Sequence, residues 1–98
     1  MSTQTQTEVD VWPTTAGDLR ITFLGHGTLM IAHGAEVIHV DPYGRVADYS
    51  ELPRATLVLI THEHHDHLDT RALAQIRTAR TDVILTELCA REVTGGTV

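Results

Sequence analysis

The sequence predicts an α/β fold, a mixed sheet with one or two helices, and three observations predict it. Segments 19–23, 28–33 and 36–40 have the length and apolar content of strands, the first with strict alternation. Leu57-Val58-Leu59-Ile60 is apolar without alternation, which suits a central strand covered on both faces, although four residues alone do not separate it from a buried helical turn. Ala72, Leu73, Ile76 and Ala79 then recur at helical spacing before a further apolar run, Val83-Ile84-Leu85, so at least one helix crosses between strands.

In chain order, residues 1–8 are rich in Thr and Gln and read as a frayed terminus. Val9 and Val11 alternate with acids ahead of Trp12-Pro13, giving a short edge strand expected to stop at the proline. Leu19, Ile21 and Phe23 alternate with Arg20 and Thr22 until Gly25-His26-Gly27 ends the strand. Thr28–His33 and Glu36–Val40 flank Gly34-Ala35, a pair suited to a type II′ hairpin, and Asp41-Pro42 stops the second of them. Residues 43–54 form a loop with room for one helical turn. Asp69 or Thr70 caps the helix, whose outer face carries Arg71, Arg77 and Arg80 as a solvated charge set. Residues 82–86 form the last strand and 87–93 a short helix. By domain, 1–18 is a flexible terminus or edge strand and 19–98 a partial domain.

With 98 residues there is one small domain at most, and its stability margin is thin. Seven arginines and no lysine stand against 13 acids, for a net charge of -6, so no basic track exists for a nucleic acid. No stretch is long and apolar enough to span a bilayer, the start lacks the character of a signal peptide, and the single Cys89 cannot form an internal disulfide. The expectation is a cytoplasmic protein without nucleic-acid or membrane partners.

The most informative segment is Thr61-His62-Glu63-His64-His65-Asp66-His67-Leu68-Asp69, which follows directly on the apolar strand. Imidazole nitrogens and a carboxylate are the donors that zinc and its first-row neighbours accept. On extended chain His62 and His64 point the same way and can grip one ion, whereas Asp66 and His67 follow where the chain turns into the helix. Glu63 has the opposite parity, and it and His65 are expected to point away. A bound divalent cation lowers the pKa of water from 15.7 to about 7 and polarises a carbonyl or phosphoryl oxygen, so hydrolysis is the natural chemistry of such a site. Zinc fits best, as one or two ions, and manganese, iron or nickel are admitted by the same donors.

This motif resembles the signature of the metallo-β-lactamase superfamily of metal-dependent hydrolases. The segments Ile21-Thr22-Phe23-Leu24-Gly25-His26-Gly27-Thr28-Leu29-Met30-Ile31 and Val37-Ile38-His39-Val40-Asp41-Pro42 resemble the opening of its lactonase-like branch. The resemblance covers about residues 19–94 and implies the amino-terminal half of an αββα sandwich. It implies that His62 and His64 bind a first metal, that Asp66 and His67 bind a second, and that Asp66 also aligns the attacking water. It further implies that Asp41 orients a ligand from behind and that His26 lies at the pocket rim. The implied substrate is a small ester, lactone, amide or phosphoester.

One departure bears on activity: no histidine follows His67, whereas a catalytic zinc usually takes three protein ligands. The chain therefore reads as part of a longer enzyme, or alternatively as a truncated or non-catalytic metal-binding module. An incomplete sandwich leaves apolar sheet surface uncovered, which favours homo-oligomers. His33 and His39 are expected to be ordinary strand residues and Cys89 a small core residue.

Overall fold

Strand propensity and register build one six-stranded sheet in the order of the chain, from β1 to β6. The computed structural model describes residues 8–25, 27–61, 69–91 and 93–98. Strands β1 (Glu8–Thr14), β2 (Gly17–Gly25), β3 (Thr28–His33) and β4 (Glu36–Val40) form an antiparallel meander. Strands β5 (Leu57–Ile60) and β6 (Asp82–Leu85) extend it in parallel. Helix α1 (Thr70–Ile76) crosses between β5 and β6, and 3-10 turns lie at Tyr49–Glu51 and Cys89–Arg91.

The turn between β3 and β4 is the predicted one: Gly34 has φ 59° and Ala35 no positive φ, the requirement of a type II′ hairpin. Strand β2 starts two residues earlier than the sequence reading, β6 ends one residue sooner, and the helix expected over 87–93 is the 3-10 turn Cys89–Arg91; two further boundaries differ for reasons the structure shows. Strand β1 runs through Pro13, which pairs with Asp18, because β1 is the sheet's edge and its outer side needs no donor. Helix α1 ends at Ile76, so Ala79 is exposed rather than part of the apolar stripe. The Ile76 carbonyl accepts the Ala55 N–H at 2.8 Å. Thr81 Oγ1 takes the Thr78 N–H at 2.8 Å and donates to the Ala55 carbonyl at 2.6 Å, giving the backbone partners outside a helix.

The core lies on one face of the sheet. Val58, Ile60, Val83 and Leu85 point from β5 and β6 into Ala72, Leu73 and Ile76 of α1, with Tyr49, Cys89 and Val93 closing the sides. On the opposite face, register aligns Ile21, Ile31, Ile38 and Leu57 in one row and Phe23, Leu29, Val40, Leu59 and Ile84 in the next. Among the described residues nothing packs over these rows, and none of them belongs to the core cluster. The expectation that β5 is covered on both faces is thus corrected: Val58 and Ile60 are buried, whereas Leu57 and Leu59 are half-buried. The molecule is a slab of 37 × 36 × 19 Å, a sheet and one covering layer of an αββα sandwich.

Candidate metal centre

Parallel pairing of β4 with β5 brings the carboxyl ends of both strands to one rim of the sheet, the rim where open α/β sheets place their ligands. Asp41 follows β4 and Thr61 follows β5. The four donors expected from the sequence, His62, His64, Asp66 and His67, come directly after Thr61 and lie outside the described residues, as does His26. Their flanks are described, and both are fixed by carboxylates.

At the upstream flank, Asp41 is 3% exposed and holds Thr61 twice: Oδ1 accepts the Thr61 N–H and Oδ2 accepts the Thr61 hydroxyl, each at 2.7 Å. The backbone of Asp41 is also held, its N–H donating to the Leu59 carbonyl and its carbonyl accepting the Thr28 hydroxyl, both at 2.9 Å. Asp41 has φ 49°, the one positive φ at a non-glycine among the described residues. Aspartate tolerates this region better than most residues, yet the conformation is held by its surroundings rather than chosen locally. Asp41 does more than open a turn at Pro42: its carboxylate fixes where the His-rich segment begins.

At the downstream flank, Asp69 caps α1, its Oδ1 accepting the N–H groups of Arg71 and Ala72 at 3.1 and 3.0 Å. Its Oδ2 accepts the Gly44 N–H at 2.8 Å, tying the loop after β4 to the start of the helix. The capping role was legible in the sequence; the tie to Gly44, 25 residues away, was not. The same loop is pinned by Tyr49, whose buried hydroxyl accepts the Tyr43 N–H at 3.1 Å. Burial pushes the Tyr49 phenol up to about 12, so it stays protonated at neutral pH.

His39, on the helix-covered face of β4, is fully buried and bonds the Pro53 carbonyl through Nε2 at 3.0 Å. That bond requires a proton on Nε2, so the neutral ring leaves Nδ1 as an acceptor, and Nδ1 has no partner among the described residues. Burial lowers the His39 pKa, against a smaller upward pull from the Pro53 bond. Cys89 is a buried free thiol in the core, in keeping with its expected packing role. Among the described residues no three His, Cys, Asp or Glu side chains cluster as a metal site. A metal centre in this chain therefore rests on the His62–His67 segment. Its donor chemistry, three or four imidazoles and a carboxylate, fits a first-row divalent cation.

Comparison with known proteins agrees with this architecture. A model of the beta-lactamase superfamily domain matches residues 20–95. A UPF0173 metal-dependent hydrolase of Methylobacterium nodulans is 38% identical over 57% of this chain, and one of Nitratidesulfovibrio vulgaris is 35% identical over 50%. These matches span only 28% and 23% of the relatives' own lengths. A crystal structure of a Parabacteroides distasonis protein assigned as a metal-dependent hydrolase superposes with a TM-score of 0.89 at 38% identity, covering 95% of this chain and 43% of that one. Among the described residues no helix is long and apolar enough to cross a membrane.

Proposed function

This chain belongs to the beta-lactamase superfamily, and from that premise we propose that it carries the amino-terminal share of a metal-dependent hydrolase centre. In this reading His62, His64, Asp66 and His67 hold zinc, or manganese, iron or nickel in its place. The observation that carries the reading is the pairing of that donor set with Asp41, a buried, strained carboxylate that fixes the residue before the first donor.

A divalent cation bound there supplies a Lewis acid and brings the ionisation of water into the neutral range. The protein's own contribution is positional. Asp66 aligns the attacking water through its carboxylate, Asp41 orients the ligand segment from behind, and His26 borders the pocket. Orienting groups of this kind are worth about 10–100-fold in metal affinity or activity. Four donors complete one three-ligand catalytic set or give each of two metals only two ligands, and the matched relatives are much longer than the matched segment. The substrate we assign is a small molecule bearing an ester, lactone, amide or phosphoester bond, with no nucleic-acid or membrane partner. The single buried thiol suits a reducing compartment, and we place the protein in the cytoplasm.

Zinc titration with mass spectrometry of the intact chain tests the centre. One or two ions per chain, with binding and ester hydrolysis both lost in His64→Ala, is the expected result. An ion shared between two chains, with no turnover of esters or phosphoesters, would instead identify a non-catalytic metal-binding module.

A further inference from the structure

Beside the downstream flank lies a cleft of about 630 Å³, walled on one side by the loop 44–49 and on the other by the first turns of α1. Its volume falls in the range that small ligands occupy. The walls are tied together by the bond from Gly44 to Asp69, so the cleft exists before any ligand arrives. Four charged side chains line it: Arg45, Asp48, Asp69 and Arg71.

The two acids are already committed. Asp69 accepts three backbone N–H groups, and Asp48 accepts both the N–H and the hydroxyl of Ser50. The two arginines are not: neither guanidinium has a hydrogen bond or ion pair among the described residues. Two arginines without a hydrogen-bond or ion-pair partner among the described residues therefore line one preformed cleft in a chain of net charge -6. The fork geometry of arginine matches a carboxylate or a phosphate, and two forks match one such group approached from two walls. Arg71 is exposed, as a solvated helix face requires, but it also forms part of this wall, whereas Arg77 and Arg80 do not.

We propose that this cleft is an anion subsite in which Arg45 and Arg71 take a carboxylate or phosphate group of the substrate. The assignment of that group to a substrate rests on the hydrolase reading above; the binding itself does not. The hydrolase would then act on acidic esters, lactones or phosphoesters in preference to neutral ones.

Equilibrium dialysis of the full chain, stripped of metal and desalted, against labelled inorganic phosphate and separately against labelled succinate, tests the subsite. Saturable binding of one equivalent of either anion, weakened about tenfold or more by Arg45→Met or Arg71→Met and unchanged by Arg54→Met or Arg80→Met, is expected. Preference for one anion tells a phosphate substrate from a carboxylate one. No saturable binding, or equal binding by the Arg45→Met/Arg71→Met double variant with native circular dichroism, would overturn the proposal. With metal restored, the same variants should lower kcat/KM for mono-4-nitrophenyl succinate, whose carboxylate is separate from its scissile ester, and spare 4-nitrophenyl acetate. Anion binding without turnover of either compound would sink the hydrolase reading and leave the subsite standing.

Discussion

Asp41 concentrates more constraint than any other described residue. Replacing it with alanine removes both bonds that the carboxylate makes to Thr61 from a part-buried place, at a cost of about 1–3 kcal/mol. Asp41→Asn keeps an acceptor for the N–H and lets the Thr61 hydroxyl turn round to accept, so it should cost about half as much. Urea denaturation ranks the two, and zinc affinity should fall with them, about tenfold or more for Asp41→Ala. His39 gives a pH dependence of definite sign. Its folded pKa lies below its ordinary value of 6.5, so the unfolded chain binds the proton more tightly. The stability this contributes is complete above pH 6.5 and is lost as pH falls toward the lower folded value, with a slope of at most about 1.4 kcal/mol per pH unit. Denaturation midpoints between pH 7.5 and 5 should steepen in the wild type and flatten in His39→Leu. At this scale the sequence spoke unevenly. Asp41-Pro42 marked a strand end, but the bond to Thr61 depends on two strands lying side by side in parallel, which no local pattern encodes. The proposed donors are suggested by the sequence alone, because their spacing and their place after an apolar strand are both local.

At the scale of elements, Asp69 does two jobs from one side chain, capping α1 and holding the loop after β4. Asp69→Ala should cost about 1–2 kcal/mol for the cap alone and free the Gly44 N–H as well. Hydrogen exchange should therefore quicken at Gly44 together with the first turn of α1, whereas a purely helical defect would leave Gly44 unchanged. The elements themselves were largely legible, since alternation, the Gly34-Ala35 turn and the Asp69 cap are written in runs of a few residues. Pro13 stays in its strand because an edge strand, which the sequence did suggest, tolerates a proline whose missing donor faces outward. Ala79 leaves its helix for a reason outside its own run: Ala55, 24 residues earlier, claims the last helical carbonyl.

For the molecule as a whole, the bare sheet face sets the behaviour in solution. Two adjacent rows of apolar side chains lie outside the core cluster and keep part of their surface exposed, Phe23 and Ile84 most of all. Self-association of the 98-residue chain follows, and sedimentation velocity should report dimers or larger species at micromolar concentration. Ile31→Lys, in the centre of that face, should shift the distribution toward monomer with its circular dichroism intact; a monomeric wild type would contradict this reading. That only half a sandwich is present was visible in the sequence, where apolar strands outnumber the helices available to cover them.

The same-direction course of β4 and β5 has a consequence for how such a protein can change. Because Asp41 and Thr61 meet at the strand ends, the grip on the segment that follows belongs to the ladder, whereas residues 44–48 are anchored at their two ends, by Asp69 and by buried Tyr49. On the reading proposed above, exchanging Arg45 or its neighbours rewrites recognition while the grip beneath keeps its footing.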